Sequence, residues 1–150
     1  MDPKTREFAR GLVDDAKTFY LISGKRIALA EFTNPCGMFS EGAFYIFVLN
    51  FKGIMLAHGV NERFVGEDFI DLKDFEGRPF MKEIVDTAME KGSGWVEYKW
   101  YHPRTKKILP KNVYFEKVDN LIICCGAYDP STDSGDCRPC AGSLGGRPGK

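Results

Sequence analysis

Residues 92–114, GSGWVEYKWYHPRTKKILPKNVY, read as one strand, a basic loop and the start of a second strand. With period two, Val96, Tyr98 and Trp100 point one way while Glu97 and Lys99 point the other, the alternation of a half-buried antiparallel strand. Trp95 and Tyr101 extend the aromatic run, so this strand builds an aromatic wall. Lys111 and Tyr114 open the next strand with an ammonium and a phenol, both able to donate hydrogen bonds to a small carboxylate. Two readings stand side by side: the aromatics fill the core and Lys111 is solvated, or the wall ends in an anion-recognising site. In a regular strand Lys111 and Tyr114 face opposite sides, whereas Asn112 and Tyr114 share one. Lys111 is expected to reach the wall by curling in before the ladder begins, which Pro110 and the loop before it permit; were Lys111 exposed, Asn112 would be the better candidate.

Working outward, residues 111–118 and 121–127 are joined by Asp119-Asn120, turn-forming types that make an antiparallel pair. Upstream, PFMKEIVDTAMEKG sets Phe80, Ile84 and Ala88 on one stripe with Met81, Val85 and Met89 beside it, and Lys82, Glu83, Asp86, Glu90 and Lys91 opposite. Pro79 suits the first turn of that helix and Gly92 the residue just past its end. Residues 43–49, AFYIFVL, then a turn at 50–53 and IMLAHG, predict a hairpin. Residues 59–78 are polar and punctuated by Gly66 and Gly77, the marks of a structured loop with one short helical turn. From Thr5 to about Ile22 the spacing of Phe8, Leu12, Ala16 and Tyr20, with Val13 alongside, predicts an amphipathic helix. Gly24 interrupts it, and KRIALAEF continues as a second piece ending near Asn34-Pro35. These elements make an α+β plan, one antiparallel sheet with helices on one side, its other face lying under the loops at 30–42 and 59–78, where a small-molecule pocket would form.

With 150 residues, 43% of them hydrophobic, the chain makes one domain, expected over residues 1–128. Residues 129–150 are dominated by Gly, Pro, Ser and charge, and are read as a disordered tail. The 21 basic and 21 acidic residues cancel without forming blocks, which argues against a nucleic-acid partner. No window of about 18 apolar residues predicts membrane insertion, and the start shows no signal-peptide pattern. Of the five cysteines, Cys137 and Cys140 form a lone C-x-x-C lacking further zinc ligands, adjacent Cys124 and Cys125 read as small buried hydrophobes, and Cys36 reads as isolated. The acidic cluster Glu67, Asp68, Asp71 and Asp74 does not follow EF-hand spacing and reads as a solvated loop. Neither a nucleophile motif nor a phosphate-binding glycine loop occurs, so no enzyme, metal or cofactor is expected.

The succession EGAFYIFVLNFKGIMLAHGVNERFVGEDFIDLKDFEGRPF, GSGWVEYKWYHPRTKKILPKNVYFEKV and IICCGAY resembles the single Cache domain family, small-molecule sensors of bacterial and archaeal chemoreceptors and histidine kinases. The motifs that carry the resemblance are the aromatic strand closing on a Gly turn, the His after that hairpin, Asp-x-x-Gly before the helix, the GWV-Y-W strand, Pro-Lys-x-x-Tyr and the final Gly-x-Tyr. The resemblance implies a PAS-like central antiparallel sheet with a long N-terminal helix, about 5–32, and a second helix packed on it. It implies a sensor for signal transduction or chemotaxis that binds a short organic acid of the acetate, propionate, pyruvate or lactate class. Lys111 and Tyr114 would hold the carboxylate; Tyr45, Phe47, Tyr98 and Trp100 would line the pocket, with His58 following the hairpin. A homodimer through the N-terminal helix and a periplasmic or extracytoplasmic location go with that reading; if Met1 is the native start, the location is cytoplasmic. Family members usually sit between membrane spans, or follow a signal peptide, and signal to a domain not seen here. The rivals are a metal or redox protein working through its cysteines and a structural interaction module using the N-terminal helix.

Overall fold

A computed structural model describes residues 3–102 and 105–128. The first helix, α1, spans Pro3–Ser23, and the second, α2, spans Lys25–Thr33. Gly24 separates them with φ 90°, a left-handed value that a side chain resists. The buried stripe of α1 is Thr5, Ala9, Leu12, Val13 and Ala16, rotated slightly from the expected one, so that Phe8 lies at its margin with its ring 4.5 Å from Phe44. Short strand β1, Ser40–Glu41, precedes the predicted hairpin of β2, Phe44–Asn50, and β3, Met55–His58. The polar segment that follows contributes one 3-10 turn, Glu62–Phe64, as its punctuation suggests. The third helix, α3, is Phe80–Lys91; Gly92 ends it in the left-handed region and donates its N–H to the Ala88 carbonyl. Strands β4, Ser93–Tyr101, β5, Ile108–Val118, and β6, Leu121–Tyr128, complete the sheet.

All pairings are antiparallel, in the order β1-β2-β6-β5-β4, with β3 also paired to β2. The 43–58 hairpin and the 93–128 meander therefore meet along β2 and β6. Strand β5 begins at Ile108, earlier than the expected 111. Pro110 is tolerated there because β6 pairs β5 only from Lys111 onward, leaving the proline with β4 as its one neighbour.

Helices cover both faces, a correction to the one-sided arrangement expected from the sequence. Helices α1 and α2 pack on the face carrying Ile46, Val48, Tyr114, Ile123 and Cys125. Helix α3 packs on the opposite face, against Phe47, Tyr98, Phe115 and Ile122, with Phe64, Phe69 and Leu72 from the 62–72 segment beside it. The near-continuous apolar reading of β2 and β6 follows from this: both faces are buried, so neither strand has a solvent side to mark with polar residues. Of the two loops expected over the pocket face, 59–78 covers it beside α3, whereas Phe39, from the 30–42 loop, packs with the α1 and α2 cluster. The predicted tail at 129–150 lies outside the described residues.

Candidate functional site

Alternation along β5 decides the site. Lys111, Val113 and Phe115 take the α3 face, while Asn112, Tyr114 and Glu116 take the α1 face. Lys111 does not curl in ahead of the ladder; it is a regular strand residue, paired with Tyr98 on β4 and Tyr128 on β6. Its side chain is buried, only 2% exposed, and crosses β6 to donate from Nζ to the Tyr45 hydroxyl at 2.6 Å. That crossing is possible because position 126 is a glycine, where a Cβ would stand 2.1 Å from Lys111 Cε. The ammonium lies 4.7 Å from the Tyr45 ring centre, 5.2 Å from Phe47 and 5.6 Å from Tyr98, a cation enclosed by ring faces.

Among the described residues Lys111 forms no ion pair. Desolvation pushes its pKa down to about 7, while the neighbouring Cys125 and Cys124 act weakly upward. His58, on the end of β3, accepts at Nδ1 from the Val60 N–H at 3.2 Å and the Asn61 N–H at 2.9 Å. This fixes the proton on Nε2, and desolvation together with Lys111 lowers the imidazole pKa to about 3, so it is neutral at ordinary pH. Desolvation likewise keeps the Tyr45 phenol protonated. Lys111, His58 Nε2–H and the Tyr45 hydroxyl are all donors, and no carboxylate faces them among the described residues.

Lys111 and His58 line a small cavity of about 20 Å3 together with Phe47, Met55, Phe64, Phe69, Leu72, Phe80, Met81, Tyr98 and Trp100. That volume admits about one water, so a larger guest needs its wall to give. A broader recess of about 240 Å3 adjoins it, bounded by Tyr45, Val60, Asn61, Tyr101 and Lys106 and sharing His58, Phe64 and Trp100 with the inner cavity. Phe80 stacks on Tyr98 at 3.7 Å and holds the wall flat against α3.

The structure thus brings together Lys111, Tyr45, Phe47, His58, Tyr98 and Trp100. Tyr114 and Asn112 do not join them. Tyr114 lies across the sheet, where its hydroxyl donates to Glu116 at 2.6 Å and its ring lies 5.2 Å from Trp95 and under the Arg10 guanidinium. Opposite sides is what period two dictates for residues three apart. The sequence reading overlooked Gly126, whose signal was the Gly-x-Tyr at the end of β6. It also overlooked Phe64, Phe69 and Leu72, hydrophobics in a polar segment with no period to place them. Cys124 and Cys125 are buried free thiols as expected, whereas Cys36 is disulfide-bonded rather than isolated. The Cys137-Cys140 pair lies outside the described residues.

The pattern of the single Cache domain 2 family matches residues 36–131, which contain every residue of the site. The chain belongs to that family. Over 86 residues this Cache domain is 29% identical to the sensor histidine kinase MctS of Rhizobium johnstonii, a match covering 56% of the chain and 18% of the kinase. It therefore spans less than a fifth of that relative's length. Among solved structures it resembles the periplasmic sensor domain of a chemotaxis protein, with TM-score 0.66, 26% identity and coverage of 83% of this chain and 92% of the other. A Cache chemosensory domain solved for its recognition of carboxylic acids shares the fold, with TM-score 0.64, 23% identity and coverage of 83% and 90%.

Proposed function

We propose that this Cache domain is a non-enzymatic sensor that captures a short carboxylate at Lys111. The observation that carries the reading is a buried ammonium surrounded by donors and aromatic faces and given no counter-charge among the described residues. An uncompensated buried charge costs several kcal/mol, roughly, and is retained where a ligand supplies the missing partner. A carboxylate does so: its oxygens accept from Lys111 Nζ, His58 Nε2 and the Tyr45 hydroxyl, while its short apolar end meets Phe47, Tyr98 and Trp100. The fold shared with a carboxylic-acid-recognising Cache domain supports the same class. Because the inner cavity must widen for any guest larger than water, the smallest acids are the ones expected, the acetate, propionate, pyruvate and lactate class.

Occupancy is reported through β5, which carries Lys111 on one face and meets α1 on the other. Arg6 sits 4.5 Å over Trp95, Arg10 5.4 Å over Tyr114, and Tyr20 donates to Asp119 at 2.7 Å, so α1 grips the β4–β5 pair and the β5–β6 turn along its length. An extracytoplasmic setting suits the disulfide at Cys36. The rival cysteine chemistry finds no support in Cys124 and Cys125, whose thiol pKa values burial pushes up, that of Cys125 to about 12. Calorimetry with acetate, propionate, pyruvate and lactate tests the proposal. At least one acid is expected to bind wild type, and Lys111→Ala to lose at least a hundredfold in affinity. No binding by any acid, or equal binding by Lys111→Ala, would show that the site is misassigned.

A further inference from the structure

Strand β4 ends the sheet, and on its outer edge the Lys99 N–H and the Glu97 carbonyl flank Tyr98 with no neighbouring strand among the described residues. Side chains from the 74–78 turn take both. Asp74 Oδ2 accepts from the Lys99 N–H at 3.0 Å, and Arg78 Nη1 donates to the Glu97 carbonyl at 2.5 Å. A carboxylate and a guanidinium thus stand where a further strand would place its own acceptor and donor, closing an edge that would otherwise stay unpaired. The same residues are braced from behind. Asp74 Oδ1 accepts from the Glu76 and Arg78 N–H groups at 2.9 and 2.8 Å, and Arg78 holds Glu83 of α3 through Nε and Nη2 at 2.8–3.2 Å.

The pair joins two walls of the ligand cavity. Phe69 and Leu72, just before the turn, line it from the loop; Tyr98 and Trp100 line it from β4. Phe75, inside the turn, lies 6.2 Å from Trp100 and 5.4 Å from Tyr101. Since about 20 Å3 admits no acid, the wall that loop and β4 help to form must give for a ligand to seat beside Lys111, and the bonds from Asp74 and Arg78 resist that movement.

We propose that Asp74 and Arg78 are positioning residues that clasp the 69–78 segment to the edge of β4, holding the cavity closed over Lys111 and setting how fast a ligand enters and leaves. This rests on the carboxylate reading for its ligand, not for its mechanics. Asp74→Asn separates the clasp from the turn: the amide oxygen still accepts from Glu76 and Arg78, but its NH2 faces the Lys99 N–H donor to donor. Arg78→Gln removes the other half at an exposed position. The chain has two tryptophans, so a Trp95→Phe background leaves Trp100 as the sole reporter, Trp95 lying on the α1 face.

Acrylamide quenching of Trp100 without ligand is expected to rise about two- to threefold in either variant, with the far-ultraviolet circular dichroism unchanged. With acetate, propionate and pyruvate as probes in stopped flow, entry and release should both accelerate, by about threefold or more. Quenching equal to the parent in both folded variants overturns the proposal. If quenching rises as expected but no probe acid binds even the parent, the clasp stands and the carboxylate reading fails. Should Asp74→Asn not fold, Arg78→Gln alone decides between the outcomes.

Discussion

Lys111 lies in a place where a lysine is costly and a methionine would be comfortable. Its pKa of about 7 in the fold stands well below the value near 10.4 of an unfolded lysine. Below pH 7 both states carry the proton and the folded state bears the full desolvation penalty. Between about pH 7 and 10 the unfolded state binds more protons, so stability rises with pH by at most about 1.4 kcal/mol per unit. Urea titrations of wild type and Lys111→Met should therefore show the variant ahead at pH 6 and the gap narrowing steadily toward pH 10. A gap that ignores pH would mean that Lys111 is not buried as a cation. Gly126→Ala probes the same residue from below: a methyl group meets Lys111 Cε, and the lysine stem must leave its track across β6. Overpacking of this kind costs about 1–3 kcal/mol, and acid binding in calorimetry is expected to fall at least tenfold. The aromatic wall and Lys111 were legible in the sequence because period two marks a face directly. The pairing of Lys111 with Tyr114 was not, because that same period sends Tyr114 through the sheet to Glu116 and Arg10.

At the scale of elements, strong patterns read through. The α3 stripe, the Gly92 stop and the 44–58 hairpin lie where spacing and turn chemistry put them. Gly92 holds φ 86°, and Gly92→Ala should cost about 1 kcal/mol; differential scanning calorimetry should find Tm lowered by about 2–4 °C, while an unchanged Tm would deny the cap its role. Strand β1 escaped notice because two residues carry no period. The covering of both sheet faces escaped for a different reason: α3 shows a good apolar stripe, but a stripe does not say which face of a sheet it meets. The acidic cluster at 67–74 reads as solvated by composition, yet Asp74 alone of it is buried, drawn in by the Lys99, Arg78 and Glu76 N–H groups. Although burial raises its pKa, those backbone bonds hold it below the usual carboxylate range. Side chain to backbone capping of an edge strand leaves no mark in hydropathy.

At the scale of the molecule, the sheet separates two jobs. One face holds Lys111, His58 and Tyr45 under a loop and α3; the other meets the long α1 through Arg6, Arg10 and Tyr20. On the proposed reading, a ligand that pulls on β5 pulls on the helix face of the same strand, with one thickness of sheet between the two. On that same reading, a carboxylate supplies the counter-charge of Lys111. Calorimetry of the tightest-binding acid of the panel, in buffers of differing ionisation enthalpy from pH 6 to pH 9, tests it most directly. Since the free ammonium is half deprotonated near pH 7, binding at pH 8 should take up close to one proton. Affinity should be flat below pH 7 and fall about tenfold per unit above it. Binding with no proton uptake and no change in affinity between pH 7 and 9 would contradict the account.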